Sequence, residues 1–229
     1  MSTNLLAEYC KNNLDLRSAK LGDEFYYSAL PLAVLDSVFS IRLQYSTVQK
    51  IVENYCTAYG LDLYSFDRRN KQAHTITDFI ANINAVGVEV FAKKILKSAH
   101  RTAGHTATTI LKAEAAYEWG KILQDSKIET FADVDKLNDD YITYRLKSVQ
   151  GQGGGVSVSY FMMLCGDDDF CKADTHLLNF LGSALERKIK PTEAQELLTN
   201  AVAILKAEYP TITIRLLDYT IWKYQSGKA

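Results

Sequence analysis

Residues 141–180 read YITYRLKSVQGQGGGVSVSYFMMLCGDDDFCKADTHLLNF. Tyr141, Ile142, Tyr144, Leu146 and Val149 recur at helical spacing and run into Gly151-Gln152-Gly153-Gly154-Gly155. A second apolar helix follows at once through Val156, Val158, Tyr160, Phe161, Met163 and Leu164. The polar loop Lys172-Ala173-Asp174-Thr175-His176 then leads into a third helix. Helix, glycine hairpin, helix is the layout of a backbone anion grip. Glycine permits positive φ and close approach of another backbone. The amides that open the second helix have no intrahelical acceptor and sit at its positive dipole end, where phosphate binds.

Other glycine-rich motifs fit less well. A P-loop needs G-x-x-x-x-G-K-[ST], but Val156 and Ser157 follow Gly155. A dinucleotide fingerprint needs a preceding strand and G-x-G-x-x-G, whereas Tyr141 to Val149 is helical in period. A flexible linker would be polar throughout, and apolar turns flank these glycines on both sides.

The ordered set of two hairpin glycines and Asp174-Thr175-His176 resembles the helix-hairpin-helix DNA glycosylases of the endonuclease III superfamily. Their hairpin is usually L-P-G-[VI]-G-[RK]-K-T-A, and their downstream loop is often V-D-T-H. This chain has Gln150 where the proline stands, and Gly155 aligns with the lysine, with one extra residue before Asp174. Members without that lysine cut only the glycosidic bond, so the resemblance implies a monofunctional enzyme. Leu30 to Cys56 and Arg101 to Ala116 look like segments of a bacterial branch that also lacks the lysine, and with the hairpin they bring the resemblance to roughly half the chain. The resemblance implies duplex DNA as partner. It implies no cofactor beyond a monovalent cation on the hairpin carbonyls.

Composition is compatible with this. The chain has 229 residues, 47% hydrophobic and 23% charged, an ordinary globular balance for one large domain or two small lobes. A net charge of −1 means that a nucleic-acid binder needs a local basic face. Three prolines and 12 glycines leave little room for linkers. No basic start precedes an apolar stretch, and no apolar run approaches the roughly 20 residues that span a bilayer. A soluble, cytoplasmic monomer is the expectation. Cys10, Cys56 and Cys165 sit on apolar helical faces and read as core residues; with Cys171 they match neither a zinc ribbon nor an iron-sulfur pattern.

Period 3.6 dominates the rest of the chain, so the predicted class is all-α. Helices are expected over Leu5–Leu16, from Pro31 through Ile41, from a Ser46 or Thr47 cap to Gly60, and over Thr75–Ile83, Val88–Ser98 and Thr106–Gln124. Thr130–Leu137, Thr175–Arg187, Pro191–Tyr209 and Ile212–Tyr224 complete the set; Thr211–Leu217 is β-branched, but one strand would have no partner. The family layout implies two helical lobes with a cleft between them. One lobe would hold residues 1–30 and 174–229, the other residues 31–173 with the hairpin at 141–165.

Asp174 is the candidate catalytic group. It can be a plain helix cap. Behind such a hairpin, an ionised carboxylate suits the positive charge that develops on the sugar as an N-glycosidic bond breaks, or orients the attacking water. Gln150, Gly151, Gln152, Gly153, Gly154, Gly155 and Ser157 are the candidate backbone grip. Gln44 and Tyr45 interrupt very apolar helices; in the superfamily a glutamine at this junction enters the base stack, while a simple turn explains the same residues. Lys93, Lys94, Lys97, Arg101 and Lys112 lie in Val90–Ala113, a stretch without acidic residues, and read either as a phosphate-tracking face or as a solvated one. Arg101 and His105 are the DNA contacts expected from it. His100 and His105 lack the spacing and carboxylates of a metal site, and Asp167 to Asp169 read as a solvated acidic turn. Alternatively, the same scaffold serves as a DNA-binding module without catalysis, or the glycine loop belongs to an unrelated helical protein.

Overall fold

The structure is a computed structural model that describes residues 2–69, 74–103 and 109–227. It is all-helical, and among the described residues β structure is limited to two isolated bridges. The chain forms two compact units. One contains residues 23–165; the other joins the residues up to Gly22 to those from Gly166 onward.

The 23–165 unit is built around α2 (Leu30–Phe39), every residue of which is buried. Its sequence, LPLAVLDSVF, has no polar face to offer solvent, so it must be enclosed on all sides. α3 (Tyr45–Tyr59), α6 (Lys112–Asp125) and α8 (Val156–Cys165) enclose it, and α4 (Ile76–Val86) packs on α6. α7 (Asp140–Ser148) is joined to α6 by the Trp119 indole, which donates to the Leu146 carbonyl at 3.0 Å. α5 (Val88–Val90) continues into a π-helical turn, Phe91–Ile95. Asp36, on α2, is 1% exposed and accepts hydrogen bonds from Tyr27 and Tyr160, each at 3.0 Å.

The other unit packs α1 (Ser2–Asn13), α9 (Thr175–Leu185), α10 (Pro191–Leu205) and α11 (Ile214–Gln225) around Leu6, Cys10, Phe180, Leu198 and Leu217. All four cysteines are free and buried. Burial alone pushes the Cys10 thiol up to about 12, which suits a core residue rather than a nucleophile.

Several helix starts differ from the sequence expectation. α3 begins at Tyr45 with Gln44 as its N-cap, and no side chain caps it, so neither Ser46 nor Thr47 has the expected role. The helix expected to start at Thr106, which lies outside the described residues, begins at Lys112 among the residues described. Thr109 is outside it, Leu111 forms a bridge with Arg101, and the Thr102 amide donates to the Ile110 carbonyl. Ile110 and Leu111 thus precede the helix and pair through backbone with that segment. The β-branched run from Thr211 enters α11, with the Thr213 hydroxyl accepting from the Leu216 amide.

Candidate functional site

The glycine hairpin connects α7 to α8 by two tight turns. The Gln152 amide donates to the Val149 carbonyl, and the Gly155 amide to the Gln152 carbonyl, both at 3.0 Å. Gly151 (φ 83°) and Gly155 (φ 74°) take the left-handed backbone that favours glycine. A Cβ on Gly151 would lie 2.5 Å from the Thr102 Cβ, so this glycine also permits the hairpin to seat against the 101–103 segment. Gly153 and Gly154 are different. Both are exposed and outside the left-handed region. Among the described residues, a Cβ on Gly153 would meet nothing closer than the Lys147 carbonyl at 3.8 Å, and one on Gly154 nothing within 4 Å. The fold accounts for Gly151 and Gly155; it does not require glycine at the tip.

Side chains around the hairpin divide sharply. Gln152 (2% exposed) and Ser157 (1% exposed) are buried, so these two expected contacts can offer DNA their backbone only. Gln150 is half-buried. Lys147, on the exposed side of α7, runs past Gly155, its ammonium 3.9 Å from where a Cβ would stand. Two carbonyls of the hairpin, those of Val149 and Gln152, each accept one backbone amide.

Other sequence-selected residues in this unit are dispersed. Gln44 is exposed at the start of α3. Tyr45 is half-buried and hydrogen-bonds to Glu24, whose carboxyl is pushed up by burial and secondarily by the charge of Asp36. The basic stretch is not one face. Lys93 pairs with Glu89 at 2.7 Å, and the Arg101 guanidinium donates to the Thr109 hydroxyl and carbonyl. Lys112 is 3% exposed and cannot track phosphates. Its ammonium donates to the Phe39 carbonyl at 2.9 Å and to the Ile41 carbonyl, supplying donors where α2 has run out of them. Lys94, Lys97 and His100 remain exposed, and His105 lies outside the described residues.

In the other unit, Asp174 caps α9. Its Oδ1 accepts the His176 amide at 2.9 Å and the Leu177 amide at 3.2 Å. The residue is half-buried, and no donor among the described residues takes its Oδ2. The preceding loop is anchored along its length. Arg215 grips Asp168 through side chain (2.9 Å) and backbone, so the acidic turn is ion-paired on one member. The Gln195 amide group donates to the Asp169 carbonyl at 2.7 Å and accepts the Cys171 amide at 3.1 Å. Asp218, on α11, accepts the Lys172 amide at 3.1 Å.

Asp218 is the residue that sequence reasoning missed. It is 6% exposed, and burial, reinforced by the negative charge of Asp174, pushes its carboxyl up to about 8. The signal was present: Asp218 stands on the apolar face of α11 with Ile214, Leu217 and Ile221, where a carboxylate must be buried. One carboxylate caps a helix with an oxygen to spare; the other is held protonated near neutral pH behind it. Among the described residues, no group of three or more histidine, cysteine or acidic side chains could hold a metal ion.

The fold and these features define an all-helical protein of two units, with a bare glycine hairpin in one and a carboxylate pair in the other. Residues 4–226 match the family described as Domain of unknown function (DUF8548), and the chain belongs to that family. No curated protein and no solved structure matches it. No helix among the described residues is long and apolar enough to cross a membrane.

Proposed function

We propose that this chain is a monofunctional DNA glycosylase, which takes a modified or damaged base flipped out of duplex DNA and hydrolyses its bond to deoxyribose. The observation that carries the reading is the hairpin tip. Gly153 and Gly154 are glycine without any steric or φ requirement of the fold, and they leave bare backbone exposed ahead of the opening amides of α8. A DNA backbone that must approach the chain closely supplies that requirement. Asp174 supports the chemical half. The oxygen not used by the cap is available to stabilise a cationic sugar or to orient water, and the departing base leaves with a proton from solvent or a neighbouring acid.

One observation favours a non-catalytic DNA-binding protein on the same scaffold. Asp174 accepts two amides, so capping alone accounts for its presence. A panel of duplex oligonucleotides carrying different modified bases, each treated with alkali after incubation, separates the two. Alkali-labile sites in at least one duplex are expected. Duplex binding with no base released from any of them would establish the binding module, and no binding at all would reject both.

A further inference from the structure

A cavity of about 380 Å³ opens in the 23–165 unit between the first turns of α3 and the segment that follows the π-helical turn. Its shape follows from an irregular helix end. The Leu96 amide reaches back to the Phe91 carbonyl at 3.0 Å, Lys97 turns the chain at φ 51°, and the Ser98 amide closes on the Ala92 carbonyl at 2.9 Å. Asn54 of α3 fixes the far wall by donating to the Leu96 carbonyl at 3.2 Å. A π turn and a non-glycine residue at positive φ are both costly, and both concentrate at functional sites.

The lining is made of donors. Lys50 and Lys97 bring two exposed ammonium groups, His100 an exposed imidazole, and Thr47 a hydroxyl; Glu53 is the one carboxylate among them. Ser98 lines the same cavity at 8% exposure, and among the described residues its hydroxyl has no hydrogen-bond partner. A hydroxyl withdrawn from water and left unmatched destabilises the fold unless something else binds it. Cationic groups around an unmatched hydroxyl call for an anion with several acceptor oxygens.

We propose that this cavity binds a phosphate group, through the Lys50 and Lys97 ammonium groups and the Ser98 hydroxyl. The source the structure favours is the DNA backbone, and that assignment rests on the functional reading above. The segment that carries Ser98 and His100 continues to Thr102, the residue against which Gly151 of the hairpin is seated. Cavity and hairpin therefore stand on one short stretch of chain, placed to hold successive parts of one backbone. A free phosphate would satisfy the same groups.

The test uses the full chain, with Lys50→Ala and Lys97→Gly combined. Glycine tolerates φ 51° and Lys50 is exposed on a helix, so the fold should survive. Inorganic phosphate is titrated at constant ionic strength against chloride, with the backbone amides of residues 96–100 followed by NMR. Saturable shifts are expected for phosphate only, with affinity at least tenfold weaker in the double variant and in Ser98→Ala. Duplex affinity is measured in parallel from low to high salt. Loss of a backbone contact should lower the slope of log affinity against log salt by about 1–2. Phosphate binding with an unchanged slope assigns the cavity to a free phosphate. No saturable phosphate shift together with an unchanged slope overturns the proposal. A wild-type chain that binds phosphate here but no duplex would defeat the glycosylase reading and leave this site standing.

Discussion

Asp218→Asn removes a titrating carboxyl from the interior of the α11 unit while keeping an oxygen that can accept the Lys172 amide. The carboxyl moves from an ordinary 3.8 to about 8 on folding, through burial first and the charge of Asp174 second. The shift is raised, so between those values the folded chain holds a proton that the unfolded chain has lost. Stability from this group is therefore greatest in acid and falls as pH rises from about 4 to about 8, by about 1.4 kcal/mol per pH unit. By pH 7 the carboxyl costs the fold about 4 kcal/mol relative to a group that does not titrate. Asparagine should be nearly neutral at pH 4 and increasingly stabilising above it. Urea unfolding of both forms at pH 4.5, 6 and 7.5, followed by far-ultraviolet circular dichroism, measures the difference. Carboxylates such as Asp78 and Asp133, held low by their hydrogen bonds, lose their contribution as pH falls, but they do so equally in both forms and cancel. A difference that does not change with pH, or a variant less stable than wild type at pH 7.5, would refute the reasoning.

Four other outcomes follow from the same geometry. Asp174→Asn should keep the α9 cap, the melting temperature and duplex binding, while single-turnover base release slows roughly a hundredfold or more; unchanged release would reduce Asp174 to a cap. Gly153→Leu should abolish duplex binding without loss of stability, whereas Gly151→Ala should cost about 1–3 kcal/mol in denaturation because of φ 83° and the Thr102 Cβ. Borohydride should trap no covalent complex with DNA, since Gly155 carries no amine; an adduct that disappears in Lys147→Ala would show that the neighbouring ammonium had taken over. Lys112→Met should destabilise the 23–165 unit by about 2–3 kcal/mol in thermal or urea unfolding, because the buried carbonyls at the end of α2 lose their donor.

Helical class and most helix positions were legible because an apolar stripe repeating near 3.6 residues reports burial directly. α2 is the clearest case: its mostly apolar sequence predicted a helix, and all of it, Asp36 and Ser37 included, is buried. What the period could not give was the origin of each stripe. Ile110 and Leu111 extend the pattern of α6, yet the Ile110 amide and carbonyl both pair with Thr102 and Leu111 bridges to Arg101, a partner the helical period does not register. Polar residues were misread for the same reason. Arg68 is a cation in a polar stretch of sequence, yet its guanidinium lies 4.1 Å from the centre of the Phe131 ring at 8% exposure. Lys112 looked like part of a basic face because nothing local marks a lysine as the donor for another helix's carbonyls.

The hairpin shows how structure sharpens a motif beyond recognition of its letters. In the sequence, Gly151, Gly153, Gly154 and Gly155 are equivalent, and each can be explained by a turn. In the fold they separate. Gly151 and Gly155 are consumed by positive φ, and Gly151 also by a neighbouring side chain. The two that remain have room for a side chain and ordinary backbone, on an exposed tip. Glycine there raises the conformational entropy of the unfolded chain, so a substitution that the backbone accepts would stabilise the protein by about 0.4–1 kcal/mol. On the proposed reading, a chain that forgoes that gain at two adjacent positions does so for a partner outside the fold. Close approach of a DNA backbone is a demand that glycine meets and alanine does not, so Gly153→Leu, expected to spare stability and to abolish DNA binding, is the variant on which the proposal turns.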